Sequence, residues 1–513
     1  MSTESSQVYS VARGTAYLTT QQGVIYLTYF IFYVIVARIL TREEIGQVGL
    51  LTAALAFFNA LTLLALPATA TRFISRNIGS LQPQAAGAVA RTTLRLTLSI
   101  AIPSTLATIL LASFFSKFLF GSQDFTLLLA ATAISGLLFD LILLFGGYFL
   151  GAGEFSSQVY QNILYFVLSR SSGLLLAIVG LGVLGIVLGW IAGGTATLIL
   201  SLYLWGGKLP HGKNYPVKPL LVFTLPLFIS SLITLAQQWG DITILQVRLG
   251  QLSTVGGYYL AVTGVGFLSV LWTPISNALL PALSASAGAN ASRRISESVN
   301  LAIRLTRLTV LPISASLAAI APTALSVVYG SGYTSDALPL SILALSCVFV
   351  AESAILAATL QAIGKTGKLL QITALATALD LATVVSLATD LGPVAGAIGR
   401  ALLYLTVVYL ARKSLKAEIT MASHEGIMEG LGLALGVGLP LFATDQLLIQ
   451  LSLLPLLRLP VLLAVFTTGY LILSRRLQVF RPGDFTILKD ALPHRFHPFL
   501  RKVELLVMGS AER

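Results

Sequence analysis

Fourteen apolar runs, each about 20 residues or longer, leave a chain like this little choice of fold. They lie at residues 14–37, 46–70, 94–116, 125–150, 157–180, 183–205, 219–246, 256–283, 303–328, 337–361, 369–388, 393–411, 427–449 and 455–474. A run of this length crosses the roughly 30 Å hydrocarbon core as a helix. Its apolarity is continuous, whereas the strands of a membrane barrel alternate at period two. The expected fold class is an all-α polytopic membrane protein with about 14 transmembrane helices. Composition agrees: 10% of the 513 residues are charged and 56% are hydrophobic, against roughly 25% charged in soluble domains.

Residues 1–10 are polar, and the first apolar run exceeds the roughly 7–15 residues of a signal h-region, so no cleavable signal is expected. A single cysteine, Cys347, rules out an intrachain disulfide and a thiolate metal cluster. The formal charge of +12 invites a nucleic-acid reading until its distribution is followed. With the N-terminus inside, 23 of the 32 Lys and Arg fall on inner segments and five on outer loops or span ends. Four (Arg95, Arg170, Arg307 and Arg400) lie within spans. Such a bias fixes topology. Both termini are expected in the cytoplasm of a multi-pass plasma-membrane protein, with no nucleic-acid partner.

The chain also repeats itself. A shift of 210 residues places Arg38 on Arg248, Ile45-Gly46 on Val255-Gly256, Leu50 on Leu260, Phe57 on Phe267 and Leu61 on Leu271. Phe120-Gly121 matches Tyr329-Gly330 with a slip of one, and Gly153 and Gly185 match Gly364 and Gly396 at 211. Both copies start inside, so the repeat is parallel. The expected organisation is two parallel six-helix lobes around a central cavity, an N-lobe at 1–205 and a C-lobe at 219–411, joined by a cytoplasmic linker at 206–218. A C-terminal helix pair (helices 13 and 14, 412–474) and a basic cytoplasmic tail (475–513) follow. The tail carries Phe480, Phe496, Phe499, Leu500, Val503 and Leu506 among its basic residues, as a segment lying on the inner leaflet would, or a solvated tail.

The segments VARILTREEIGQVGLLTA, QQWGDITIL…STVGGYYLA…PALS, VVYGSGYTSDALPLSILAL and LGPVAGAIGRALLYL together resemble the polysaccharide-export flippases. These are the Wzx-like branch of the multidrug/oligosaccharidyl-lipid/polysaccharide exporter superfamily. The resemblance spans most of residues 10–411 in the expected order. It implies a transporter rather than an enzyme, moving a polyprenyl- or dolichyl-linked (di)phosphate oligosaccharide from the inner to the outer leaflet. It also implies membrane lipids, and glycosyltransferases or a polymerase of the same pathway, as partners. The related lipid II flippases carry arginines in their first helix, but Ala16 to Ala37 has none, which counts against lipid II as substrate. A cation-coupled multidrug exporter of the same superfamily is the alternative. An integral glycosyltransferase or polymerase is a third reading, disfavoured because no outer loop exceeds about a dozen residues.

A charge inside a span is costly and marks a functional-site candidate. Arginine matches phosphate oxygens with a planar fork of donors. Arg170 divides between phosphate contact and an interhelical ion pair. Arg95, Arg307 and Arg400 lie near span ends, where snorkelling is the simpler reading, although Arg307 and Arg400 remain substrate candidates. Arg72 and Arg76 would join Arg304 and Arg307 in an inner basic vestibule. Asp241 is a further substrate-side or gating candidate. Gln237, Gln238, Trp239, Gln161, Asn162, Asn277, Tyr258 and Tyr259 are sugar-side candidates, with an interfacial belt as the simpler reading of the aromatic ones.

Asp140, Glu352 and Asp380 are coupling-ion candidates, for H⁺ or Na⁺, weighed against pairing with a neighbouring arginine. Asp445 is the remaining acid within a span. Asp140 and Glu352 occupy near-equivalent places in the repeat. No GxxxxGK[ST] occurs, so no P-loop hydrolyses ATP here, and no cofactor is expected. His211, His424, His494 and His497 read as solvated loop or tail residues rather than metal ligands.

Overall fold

The computed structural model describes residues 3–206, 208–210, 212–288, 292–421 and 426–481, together with 498, 501, 502, 504 and 505. Side chains are described from Gln21 onward, except at 285 and 288. The four histidines and the tail residues Phe496, Phe499, Leu500, Val503 and Leu506 lie outside the described residues. The chain divides into two compact units, Met1–Leu260 with Val385–Gly392, and Ala261–Val384 with Pro393–Arg513. Among the described residues there are helices and no strands.

The first unit holds α1 (Thr3–Ile39), α2 (Arg42–Leu63), α3 (Leu66–Gly79), α4 (Pro83–Leu110), α5 (Ala112–Phe120), α6 (Thr126–Gly151), α7 (Phe155–Leu176), α8 (Gly182–Trp205), α9 (Val217–Leu249) and the start of α10 (Leu252–Gly266). The second holds α11 (Thr273–Gly288), α12 (Ser292–Ala319), α13 (Ala321–Val328), α14 (Ala337–Ala362), most of α15 (Thr366–Leu391), α16 (Pro393–Leu415), α17 (Ile427–Gln450) and α18 (Pro455–Arg476). Among the described residues, thirteen helical runs are long and apolar enough to cross a membrane. One of them, Phe155–Trp205, is 51 residues long and doubles back at its centre, so fourteen crossings result.

That reversal is made by Gly180 (φ 103°) and Gly182 (φ 51°), backbone values that residues with a Cβ rarely adopt. The arms α7 and α8 then pack as closely as helices can. A Cβ on Gly189 would sit 2.3 Å from the backbone of Gly173, and one on Gly193 2.6 Å from that of Ser169. Small residues at such a crossing are how membrane helices gain packing where no hydrophobic drive remains between them.

Several expected spans are broken rather than straight. The run at 46–70 stops at Leu64 and Ala65, both left-handed (φ 47° and 60°), and restarts as α3 with a proline, Pro67, in its first turn. The run at 303–328 breaks between α12 and α13, where Pro322 occupies the first turn. The run at 256–283 passes through a 3₁₀ turn, Phe267–Leu271, just before Pro274. Proline lacks the N–H that would bond the previous turn and clashes with it, so the break falls ahead of each one. Pro103, Pro226, Pro281, Pro312 and Pro440 instead lie inside their helices.

Two pairs of helices that the repeat would align have equal lengths. α6 and α14 both have 26 residues, and α4 and α12 both have 28. The two turns that opened the repeat also meet one another inside the first unit. Gly46 of α2 lies under the Leu252 carbonyl, and Gly256 of α10 under that of Arg42; a Cβ on either would come within 2.1 Å of that oxygen. α2 itself begins at a capping box: Thr41 Oγ1 accepts from Glu44 N–H and Glu44 Oε2 from Thr41 N–H, which satisfies two otherwise orphaned donors.

Gly189→Ala is expected to lower the stability of the detergent-solubilised protein by about 1–3 kcal/mol, the usual cost of overpacking. Gly367→Ala, where a Cβ meets nothing within 4 Å, is expected to stay within about 0.5 kcal/mol. Thermal unfolding of the two variants against the parent checks both.

Candidate functional site

In the first unit the most unusual charge is Arg170 of α7, which is 8% exposed. It stands in a nest of rings. Its guanidinium carbon lies 4.9 Å from the centroid of Tyr29, 5.3 Å from Phe32 and 5.8 Å from Trp190. α1 supplies Tyr29 and Phe32 one turn apart, and α8 supplies Trp190 through the close hairpin. Aromatic faces attract a cation by roughly 0.5–2 kcal/mol each but cannot cancel its charge.

One guanidinium N–H, on Nη2, is donated to Tyr29 Oη at 3.1 Å. Arg170 Nε has no hydrogen-bond partner among the described residues, nor have the neighbouring Trp190 Nε1 and Ser169 Oγ. No carboxylate pairs with Arg170 among the described residues. The described residues thus offer no partner for the interhelical ion-pair reading of this residue. Beyond the nest, Tyr29 stacks on Tyr33, and Tyr33 Oη lies 2.5 Å from Tyr259 Oη.

The other candidates of this unit are dispersed. Asp140 of α6 is fully buried, with Asn59 Nδ2 donating to Oδ1 and Thr62 Oγ1 against Oδ2, each at 2.5 Å. Asp241 of α9 is fully buried and accepts from Tyr258 O–H at 2.6 Å and from Ile242 N–H at 2.8 Å. Gln238 lines a cleft of about 460 Å³ with Ser230, Ser231 and Thr234 of α9, facing Ala56 and Ala60 of α2. Asn162 is half-buried on α7. Arg72 and Arg76 are exposed on α3, Arg72 lying 4.1 Å over the ring of Phe223. Arg95 is exposed too, and donates to Asn214 Oδ1.

In the second unit three helices meet at one acid. Glu352 of α14 accepts from Arg307 of α12 at 3.2 and 3.0 Å on Oε2, and from Arg412 of α16 at 2.5 Å on Oε1. Glu352 and Arg307 are 3% and 5% exposed. Arg307 therefore does not snorkel, because the carboxylate one helix away offers a better partner than the headgroup region. Glu352 likewise takes the arginine-pairing reading. Arg304, one turn before Arg307, turns to another partner and donates to the Val479 carbonyl at 2.6 Å. Asp380 is fully buried beside Gly399. Arg400 is half-buried against a cavity of about 100 Å³ that Trp272, Cys347 and Tyr404 also line.

Two further expectations change. Tyr258 and Tyr259 are 0% and 3% exposed, so they are buried partners of Asp241 and Tyr33 rather than belt residues. Gln161 is fully buried and donates to the Ile142 carbonyl, which makes it a bond between α6 and α7. Asn277 is exposed on α11. Arg412, Trp190, Asn59 and Thr62 were not singled out by sequence. Arg412 stood in a basic cluster and read as a topology signal.

The family described as "Polysaccharide biosynthesis protein" matches residues 11–287. A comparison with curated proteins finds no match. Among solved structures, the chain is similar to the lipid II flippase MurJ in its inward closed conformation. The identity is 16%, covering 90% of this chain and 98% of that one, with a TM-score of 0.67. It is also similar to an inward-facing multidrug resistance MATE family transporter of the MOP superfamily, at 18% identity over 79% and 98% of the two chains, TM-score 0.65. A MOP superfamily transporter from Pyrococcus furiosus matches at 16% identity over 80% and 95%, TM-score 0.52. At these identities the likeness is one of fold.

Glu352→Ala is expected to strand the buried Arg307 guanidinium and the half-buried Arg412, and to lower stability by about 3–5 kcal/mol. Replacing Glu352 by Leu together with Arg307 by Met removes one of those charges and should recover part of the loss. Thermal unfolding in detergent of the single and double variants measures both effects.

Proposed function

This chain belongs to the family of polysaccharide biosynthesis proteins, and on that premise we propose that it is a flippase. Its substrate would be a polyprenyl- or dolichyl-(di)phosphate-linked oligosaccharide, moved from the inner to the outer leaflet of the plasma membrane by alternating access. The observation that carries this reading is Arg170. A buried guanidinium with an unused Nε donor and no carboxylate partner among the described residues suits an anionic group with acceptor oxygens, and phosphate matches its fork in two-point fashion. A cationic drug would be repelled by the same charge, which weighs against the exporter alternative. The rings of Tyr29, Phe32 and Trp190 hold the guanidinium in one orientation without spending its charge on a counter-ion.

In this reading the lipid tail stays in the bilayer while the headgroup passes through the protein. Gln238 and the hydroxyls of Ser230, Ser231 and Thr234 offer hydrogen bonds to sugar along α9, and the alanines opposite leave room for it. A membrane potential that is negative inside favours outward passage of an anion by about 2.3 kcal/mol per charge per 100 mV. Glycosyltransferases or a polymerase of the same pathway would supply and consume the substrate.

The test is translocation of native lipid-linked glycans in proteoliposomes. Arg170→Ala is expected to slow translocation by about 30-fold or more, the lower end of the roughly 2–5 kcal/mol for truncating a buried charged contact. Arg170→Lys should keep part of the rate, since it retains the charge and loses the fork. Equal rates for parent and Arg170→Ala would remove the arginine from the mechanism. Efflux of cationic dyes with no movement of any lipid-linked glycan would replace the reading with the exporter.

A further inference from the structure

The buried acids of this chain are met by different partners. Glu352 has Arg307 and Arg412. Asp445 accepts from Thr323 at 2.6 Å, and Thr323 in turn accepts from Arg458 at 3.2 Å. Asp140 has only neutral donors, the amide of Asn59 and the hydroxyl of Thr62. No charged group on the helices packed against α6 reaches it. Arg72 of α3 lies over Phe223, Arg95 of α4 bonds Asn214, and Arg170 of α7 bonds Tyr29. On α2, Glu44 bonds back to Thr41 and Arg42 to the Ser253 carbonyl. Lys117 of α5 is exposed, and α8 carries no charged residue. The titratable neighbour on α7 is Tyr165, stacked on Phe139 at 4.8 Å.

The hydrogens available around Asp140 limit what this arrangement can hold. Asn59 has two amide hydrogens, and they serve two acceptors, Asp140 Oδ1 and the Gly136 carbonyl at 3.0 Å. That fixes the amide with its nitrogen toward the carboxyl. Thr62 has one hydroxyl hydrogen and two near takers, Asp140 Oδ2 and the Phe58 carbonyl at 2.9 Å. With a proton on Oδ2, Asp140 donates to Thr62 Oγ1 and Thr62 passes its own hydrogen to Phe58. Without that proton, Thr62 swings its hydrogen to Oδ2, and the Phe58 carbonyl keeps its helical bond. Rotation of one hydroxyl thus accommodates both states.

A sodium ion fits poorly, because the groups that meet the carboxyl offer hydrogens where a hard cation needs several oxygens. Thr62 also borders an apolar cavity of about 540 Å³ that Phe57, Phe58, Phe115 and Phe118 help to line, surroundings in which a polar contact counts for more than it does in water.

We propose that Asp140 is a proton-binding site, with the Thr62 hydroxyl as its switch and Asn59 as its orienting group. Its place in the fold gives the proton something to act on. Thr62 stands two residues before the left-handed break at Leu64–Ala65, where α2 ends and α3 begins. Loading or emptying Asp140 changes how α6 grips the end of α2 at that break. Coupling of the proton to transport rests on the flippase reading; the proton site itself does not.

Infrared spectra of the purified protein in sodium-free buffer, recorded across pH, test the site without substrate. The expected result is a protonated-carboxyl band that Asp140→Asn removes, Thr62→Val shifts and Glu352→Gln leaves in place. The same carboxyl band in parent and Asp140→Asn at every pH would overturn the proposal. So would its loss on adding sodium at fixed pH, which would make the site a sodium site. If Asp140→Asn does not fold, the Thr62→Val shift decides: an unshifted band counts against the site. In proteoliposomes, an inward proton gradient should speed glycan translocation by the parent and leave folded Asp140→Asn unstimulated. A parent that moves no glycan sinks the flippase reading and leaves the infrared result standing.

Discussion

Hydrocarbon gives a charge no solvent, so each ionised side chain inside a span has to be compensated by the protein or used by it. At the centre of a helix the penalty is about 2.5–3.5 kcal/mol per residue by insertion scales, and simulations put it higher. This chain meets the demand in three ways. Glu352 binds two arginines and so ties α12, α14 and α16 together. Asp140 takes neutral donors from α2. Arg170 takes π faces from α1 and α8. The first arrangement is closed, since breaking it strands a charge. The other two leave a charge state or a set of donors open to change, and a working site requires that openness.

The repeated frame makes the contrast sharper. Asp140 and Glu352 sit at nearly the same depth of two 26-residue helices, yet one meets an amide and a hydroxyl and the other two guanidinium groups. The difference comes from the flanking helices. Arg307 on α12 turns inward to Glu352, whereas Arg95 on α4, its counterpart within a residue or so, stays exposed on Asn214. Where the bilayer sets the length, as at α6 and α14, the two aligned helices agree. Lateral chemistry is free to diverge, and that is where the two halves differ.

The same distinction explains what the sequence disclosed. The fourteen crossings follow from apolar length alone, and the short turn between the fifth and sixth is written in Gly180 and Gly182. The capping box at Thr41 and the proline-led restarts at Pro67 and Pro322 are local too, but apolar length alone runs straight through both breaks. Which residues meet sideways is not local. Membrane helices here are apolar on nearly every face, so periodicity does not mark a buried stripe, and the inward side of a helix cannot be read from its own residues. Tyr258 and Tyr259 read as belt residues for that reason, and Arg412 as a loop charge. Trp190 is one apolar residue among many until α7 and α8 fold together through their glycines.

The ring nest around Arg170 has a consequence for any anionic ligand. An arginine held by a carboxylate must give up that partner before it can bind phosphate, and the exchange returns little net energy. An arginine held by aromatic faces keeps its charge and its Nε donor, so a phosphate can bond it without first breaking an ion pair. The rings also limit the rotamers of a long side chain, and lowering the ordering cost of binding strengthens it. Release then needs a change in the nest rather than a competing ion. Tyr29 is the natural lever, since it both donates a face to Arg170 and stacks on Tyr33, whose hydroxyl reaches Tyr259 on α10. A shift of α10 against α1 would be felt at the guanidinium through two rings and one hydrogen bond. That gives the proposed phosphate contact a mechanical connection to the helix whose turn repeats, 210 residues later, the turn that opens α2.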